Sequence, residues 1–317
     1  MTNAVMDGES LASTAISTTP QRTKLSGLAR KEAIDGYLFL IPNFLGFFIF
    51  SLFPMAAAVA LAFTDYDLTW PPEFIGLRNF SNMMGDWLFW KTLGNTFYWA
   101  LGMVIPTIIF ALLLALMINR KMIGVLSFRL IYFLPHVTLM AAAAIIWLWI
   151  YHPQFGLLNW LLHLVGIEGP QWLADSSWSM PSLIFMGWWK SIGFAMLIFL
   201  AGLQGIPSEL YEAAIVDGAT ALQQFRYITL PMLSPAIFFV LVTSLIGSFQ
   251  AFDAMYLMTR GGPSFSTTTM VLHIYNNGFL YLKMGYASAM ALFLFACIML
   301  FTLVQWTGAK RWVHGFE

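Results

Sequence analysis

GYLFLIPNFLGFFIFSLFPMAAAVALAF, from Gly36 to Phe63, contains no charged residue and is longer than the roughly 20 residues a helix needs to cross a bilayer. A backbone in hydrocarbon must satisfy its own hydrogen bonds, so the run reads as a membrane-spanning helix. The rest of the chain agrees. Of 317 residues, 59% are hydrophobic and 9% charged, against about 25% charged in a soluble globular domain. A soluble core of this length could not hide so much apolar surface. The formal net charge of zero gives no reason to expect a nucleic-acid partner. Cys297, the one cysteine, sits in an apolar run and is read as packing, which excludes an internal disulfide and a thiolate metal cluster.

Five more runs of spanning length follow, at about Thr92–Asn119, Leu130–Ile150, Met180–Leu203, Ile228–Met258 and Gly285–Gly308. The expected fold class is an all-α integral membrane protein with six transmembrane helices, which puts both termini on one side of the bilayer. Basic residues in short loops set the orientation. Arg22, Lys24, Arg30, Lys31, Arg120, Lys121, Arg129, Arg226, Lys310 and Arg311 fall on the side of the termini, and Arg78, Lys91, Arg260 and Lys283 fall opposite. The termini are therefore expected in the cytoplasm. Residues 1–35 read as a partly disordered cytoplasmic tail and 36–317 as one transmembrane domain. The tail lacks the early apolar core and cleavage site of a signal peptide.

The far-side loop Thr64–Lys91 is acidic and rich in turn residues, with Trp70-Pro71-Pro72 in its centre. The loop Tyr151–Ser179 has no Lys or Arg, and its FGLLNWLLHLVG segment spaces apolar residues around Asn159 and His163 as a short interfacial helix would. There is no G-x-x-x-x-G-K-[ST] phosphate loop, no H-E-x-x-H, no C-x-x-C and no G-x-S-x-G. His136, His152, His163, His273 and His314 are scattered without ligand spacing, and lone histidines at loop edges or beside Pro135 more often satisfy local hydrogen bonds than bind metal. No catalytic and no metal-ligating residue is expected.

One polar segment interrupts the apolar chain after the fourth run. In EAAIVDGATALQQFRYITLP, Glu212 to Pro231, Ser208 just upstream can cap a helix whose first turn carries Glu209 and Glu212, where the helix dipole favours acids. Leu210, Ala213, Ala214 and Asp217 share one face, and the two alanines would let another surface approach closely. Gly218 suits a left-handed helix end, and Thr220 can cap a second helix that runs to Pro231. A structural connector is the plain reading of such a loop. Twenty residues are more than a connector needs, and a net acidic loop is unusual on the basic side of a membrane protein.

The spacing Glu212-Ala213-Ala214, three residues, Gly218, nine residues, Ile228-Thr229-Leu230-Pro231 resembles the EAA loop of the membrane subunits of ABC importers at every motif position. The external segment TRGGPSFSTTTMVLHIYNNGF (Thr259–Phe279), WWKSIGFAMLIFLAGLQGIP and the first run are similar to the carbohydrate-uptake, maltose-type branch of binding-protein-dependent permeases. The resemblance covers about Gly36 to Gly308. It implies that Glu212, Ala213, Ala214, Asp217 and Gly218 form a cytoplasmic coupling helix between spans four and five that an ATPase subunit grips. It also implies partners: two copies of the ATPase, which would carry ATP and Mg that this chain does not bind, a second and different permease chain, and an extracytoplasmic solute-binding protein. The implied location is the bacterial or archaeal inner membrane.

In that branch, sugar-contacting positions lie on the spans that flank the coupling loop. Matched by distance from the motifs, they fall on Lys190, Ser191 and Phe194 in span four and on Ser244, Gly247, Ser248 and Ala251 in span five, although most side chains depart from the maltose-type ones. Lys190 and Asp253 are the two charged groups inside predicted spans, and such groups usually face a cavity. Structural and path readings stand for each: Lys190 snorkels to the outer headgroups, forms a structural pair or faces the path, and Asp253 pairs with Lys190 or a backbone donor or faces the path. Ser244, Gly247, Ser248 and Ala251 form either a path lining or a close-packing stripe. Asn43 and Gln250 are read as helix-to-helix bonds. A lysine in the path would suit an anionic sugar or glycerol phosphate, and a ring stacked on Phe194 a neutral one. The alternative function is an ion-coupled secondary transporter, which needs intramembrane acids or broken helices to hold its ion.

Overall fold

The computed structural model describes residues 27–119 and 124–313. Arg22, Lys24, Arg120, Lys121, His314 and most of the expected tail lie outside them. The chain divides into two units, residues 1–56 and 57–317. Helix α1 (Gly27–Phe47) continues through a π turn at Phe48–Leu52 into α2 (Phe53–Leu61). Its large apolar side chains, Phe39 and Phe50 among them, are exposed, as suits a helix solvated by lipid.

In the second unit a two-stranded hairpin, β1 (Thr64–Asp65) with β2 (Glu73–Phe74), and α3 (Arg78–Gly85) precede the long helix α4 (Trp87–Ile118). Asn79, buried, holds the start of the hairpin by donating to the carbonyls of Ala62 and Thr64 at 3.0 and 2.9 Å. Asp86 caps α4 by accepting from the Leu88 amide at 2.8 Å, and its other oxygen accepts from the Tyr286 hydroxyl at 3.0 Å. His273 lies 4.0 Å from the same carboxylate. Burial pushes its imidazole below the usual range, and the Asp86 charge opposes that.

Then follow α5 (Val125–Val137), α6 (Met140–Ile150), α7 (Leu157–Leu164) and α8 (Ser179–Gln204). The third run was expected as one helix, but α5 and α6 are bent by 99° across Thr138 and Leu139. Pro135 is the local cause: it lacks an N–H and crowds the turn before it, so the helix stops within three residues. Helix α7 lies within the expected short segment around Asn159, whose amide donates to the Pro153 carbonyl and accepts from the Trp172 indole at 2.6 Å.

Next come α9 (Ser208–Val216), α10 (Ala221–Gln224), a π turn at Phe225–Thr229 and α11 (Leu230–Phe249), the last three forming one continuous run. Pro231 does not end the ladder as expected. The wider π turn just before it absorbs the missing donor, as the turn at Phe48–Leu52 does before Pro54. A further π turn (Met255–Thr259), α12 (Met270–Tyr275), a fourth (Asn276–Leu280) and α13 (Met284–Trp312) complete the chain. Among the described residues five helices are long and apolar enough to cross a membrane, or six if the bent pair counts as one span.

Helices α4 and α8 form the centre of the second unit. Pro106 in α4 leaves the carbonyl of Gly102 without its helical donor, and the Trp188 indole of α8 donates to that carbonyl at 2.8 Å. Gly102 also lies against α8: a methyl there would meet the end of the Ile184 side chain at 2.6 Å, which that side chain could relieve by moving. Around this contact Trp99, Met103, Leu183 and Met186 bury one cluster, and Ala111, Ala115, Phe199 and Leu233 a second. On the other side of α4, Leu101, Ile105, Ile109 and Leu113 stay exposed, an apolar face of the kind that lipid covers.

The segment after α11 is fastened to α4 by buried polar groups. Asn95 donates to the carbonyls of Phe265 and Thr268 at 2.8 and 2.9 Å, and the Thr96 hydroxyl accepts from the Met270 amide. Buried polar atoms are costly without partners, so these pairs position the segment rather than decorate it.

Candidate functional site: a cavity between three spans and an exposed helix

A cavity of about 330 Å³ opens between α4, α5, α8 and α11. From α11 and the residues after it come Val240, Thr243, Ser244, Gly247, Ser248 and Ala251, at helical spacing along one stripe. From α8 come Ser191, Phe194 and Ala195, and from α4 Trp99, Met103 and Thr107 at successive i, i+4 steps. His136 reaches it from the last turn of α5. Ser191, Phe194, Ser244, Gly247, Ser248 and Ala251, the residues matched from the sequence, are thus brought to one place. A close-packing stripe would have a neighbour against Gly247, yet a methyl there would meet nothing within 4 Å. The stripe faces open space.

Lys190 and Asp253 do not line it. Helix α11 stops at Phe249, and Asp253 stands beyond the break at Gln250–Phe252, exposed. Its placement inside the fifth span is corrected: the apolar run continues past a helix that has already ended. Lys190 and Asp253 do not pair, since the ammonium donates to the backbone carbonyls of Pro135, His136 and Thr138 at 3.1, 3.2 and 2.5 Å. It does not snorkel either, for it lies eleven residues into a 26-residue helix, about 16 Å from its start at 1.5 Å per residue.

Seven lining residues were missed: Met103, Ala195, Val240 and Thr243, and three that bear on chemistry, His136, Thr107 and Trp99. His136 was set aside as a lone histidine beside Pro135, yet its ring stacks on Phe194 with centroids 4.6 Å apart and planes 10° apart. Thr107, buried at 3% exposure, has a hydroxyl with no hydrogen-bond partner. Trp99 closes the same stripe of α4. Only the i, i+4 spacing of Trp99, Met103 and Thr107 could have signalled that face, and every apolar helix offers such spacings. The lining carries no Asp, Glu, Lys or Arg.

The second feature is α9 and its exit. Glu212, Ala213, Asp217 and Gly218 are exposed and Ala214 half-buried. The helix begins at Ser208 behind Pro207, and Ser208 makes no capping bond, so the expected cap is corrected: proline takes the position before the first turn. The end is as expected. Gly218 adopts φ +76°, its amide donates to the Ile215 carbonyl at 3.0 Å, and the Ala219 amide donates to the Ala214 carbonyl at 2.8 Å. That is the Schellman pattern of a glycine-terminated helix. Thr220 and Gln223 then form a reciprocal capping box for α10. Tyr211 ties α9 back through a 2.9 Å bond to Thr229 in the π turn. Ile215, Val216 and Leu222 project at 63%, 86% and 74% exposure. These apolar side chains are left uncovered by the rest of the described chain.

The family of binding-protein-dependent transport system inner membrane components matches residues 96–311, which contain both features. The chain belongs to that family. Among relatives of these inner membrane components, the probable ABC transporter permease protein YesP of Bacillus subtilis (strain 168) is 40% identical over 92% of this chain and 95% of its own. The sulfoquinovosyl glycerol transport system permease protein SmoG of Agrobacterium fabrum is 37% identical over 84% and 87%. The trehalose/maltose transport system permease protein MalF of Thermococcus litoralis is 32% identical over 88% and 95%. A solved bacterial ABC transporter involved in the import of the acidic polysaccharide alginate contains a chain that superposes with a TM-score of 0.78, at 27% identity, over 89% of this chain and 96% of that one. A bacterial alginate ABC transporter in complex with an alginate pentasaccharide-bound periplasmic protein gives 0.79 at 26% identity, with the same coverage. This inner membrane component is therefore a multi-pass, all-α permease subunit of an ABC importer. An ion-coupled secondary transporter is not favoured. The bent third span, which could have held a coupling ion on its free carbonyls, has given three of them to Lys190.

Proposed function

We propose that this permease imports a neutral sugar or short oligosaccharide through the cavity between α4, α8 and α11, in a path completed by a second, different permease chain. The cavity's lining carries the reading. It combines Ser191, Ser244 and Ser248, the unpartnered Thr107 hydroxyl and the ring faces of Trp99 and Phe194, with no formal charge. Hydroxyl groups and ring faces are what a sugar's polar edges and apolar faces bind. A buried hydroxyl left unpaired costs about 1–3 kcal/mol, which a solute hydroxyl would offset. An anionic solute would have to draw its countercharge from the other permease chain. The permease relatives named for sugars support the class, and the complex with a periplasmic binding protein supports delivery by such a protein.

Energy would enter at α9. A separate ATPase subunit, present in two copies and binding ATP and Mg, would hold Glu212, Ala213, Ala214, Asp217 and Gly218 in a cleft and convert its own closure into alternating access. A ligand shifts such an equilibrium only by its differential affinity for the two states, and ATP bound on the partner supplies that difference. The excess of basic residues on the side of the chain ends supports a cytoplasmic position for α9 and both termini in a bacterial or archaeal cell.

Uptake tests the reading. Proteoliposomes holding the complete transporter, with its binding protein outside, are offered radiolabelled maltooligosaccharides, arabinooligosaccharides and oligouronates in parallel. Saturable uptake of a neutral sugar that stops with orthovanadate and survives a protonophore is expected. Uptake that survives ATP depletion and collapses with the protonophore, or uptake of the oligouronate alone, would overturn it.

A further inference from the structure

We infer that Lys190 is a positioning residue for this path: its ammonium locks the bend between α5 and α6 and so holds His136 in the cavity against Phe194. The inference rests on the cavity being the solute path, but its test does not.

A helix that stops inside the hydrocarbon leaves its last carbonyls without donors. At the bend the Pro135 carbonyl keeps only a long 3.3 Å bond from the Thr138 amide, and the carbonyls of His136 and, just beyond, Thr138 are also within reach of Lys190. An ammonium has three donors and no acceptor, and Lys190 spends all three on these three oxygens, at 3.1, 3.2 and 2.5 Å. No donor is left for a solute. No carboxylate pairs with Lys190 among the described residues. The charge that makes a membrane lysine expensive is here matched to a set of backbone dipoles 52 to 55 residues away in the chain.

Two neighbours on the same face of α8 complete the grip. Three residues on, Gly193 lets the Tyr132 carbonyl of α5 come closer than any side chain would permit. One turn on, Phe194 receives the His136 ring in a parallel stack at 4.6 Å. Residues 190, 193 and 194 thus seize the last turn of α5 by its carbonyl ends, its backbone and its ring. His136 is the one residue of α5 that lines the cavity, so whatever fixes this turn fixes what the solute meets there. The lysine acts on the path through the histidine rather than by touching the solute.

The test reads His136 directly. The complete transporter in lipid nanodiscs is treated with diethyl pyrocarbonate, and acylation of His136 and of His163, in the α7 loop, is followed by peptide mass spectrometry in wild type, Lys190→Arg, Lys190→Gln and Lys190→Met. His136 is exposed in this chain, so its rate reports how far the stack on Phe194 restrains the ring rather than whether the site opens. In Lys190→Arg, whose guanidinium can replace the donors, His136 should react within about twofold of the wild-type rate. It should react several-fold faster in Lys190→Gln, with two donors, and roughly tenfold faster in Lys190→Met, while His163 stays constant throughout. If Lys190→Met does not assemble, Lys190→Gln against wild type carries the comparison. Equal His136 rates in wild type and Lys190→Gln, or rates that rise together at His136 and His163, would overturn the assignment.

Discussion

Gly247→Trp is expected to abolish solute uptake, by roughly 100-fold or more, while the protein still inserts and still binds its ATPase. The reasoning is volumetric. Gly247 sits in the middle of the α11 stripe, and a methyl built on it meets nothing within 4 Å, so the helix tolerates a side chain there. What an indole would occupy is the cavity itself, about 330 Å³ and shared with Ser244, Ser191 and Phe194. Overfilling a formed site costs typically about 1–3 kcal/mol, and with displaced solute contacts added the loss reaches about two tenfold steps. The check is uptake in proteoliposomes beside copurification of the ATPase. Full uptake by Gly247→Trp would place the path elsewhere.

The second large effect is expected at the other feature. Gly218→Leu combined with Glu212→Lys should release the ATPase from the purified complex and reduce uptake to background, about 100-fold or more, with the spans still inserted. Gly218 holds φ +76°, a conformation costing an ordinary residue about 1–2 kcal/mol. Among the described residues no atom lies within 4 Å of a Cβ placed there. The substitution therefore leaves the core alone and unwinds the Schellman end, re-aiming Ile215, Val216 and the turn into α10. Lysine at 212 reverses the charge of an exposed side chain in the middle of α9, since only Glu209 of the two expected acids lies in the first turn. Copurification and uptake, measured on one preparation, separate loss of contact from loss of folding. Unchanged uptake would remove the coupling role.

Much of this was legible in the sequence, for a physical reason. Hydrocarbon leaves few alternatives to a helix, so apolar runs such as Gly36–Phe63 announce spans directly. The stripe of Ser244, Gly247, Ser248 and Ala251 was readable because its period is that of the helix and its residues are unlike their neighbours. The Gly218 end and the Thr220 cap were readable because each depends on chemistry a few residues away. The bend at Thr138 has a local cause in Pro135 that the apolar pattern hid, and the partner of its carbonyls, Lys190, is more than fifty residues distant. Asp253 was placed in a span because the apolar pattern runs on past Phe249, where the helix stops. Thr107 and His136 carry meaning only once helices from different parts of the chain are set beside them.

The most direct test of the account uses Ser244→Cys in a Cys297→Ala background, which leaves one thiol in this chain, on the cavity wall. Its rate of reaction with a membrane-impermeant, charged methanethiosulfonate added from outside is measured in the nucleotide-free transporter and after trapping with ATP and vanadate. The account predicts a rate that differs by roughly tenfold or more between the two states, as a population shift between two accessibilities requires, and transport that stops once the thiol is modified. Equal rates in both states, or modification without effect on transport, would contradict it.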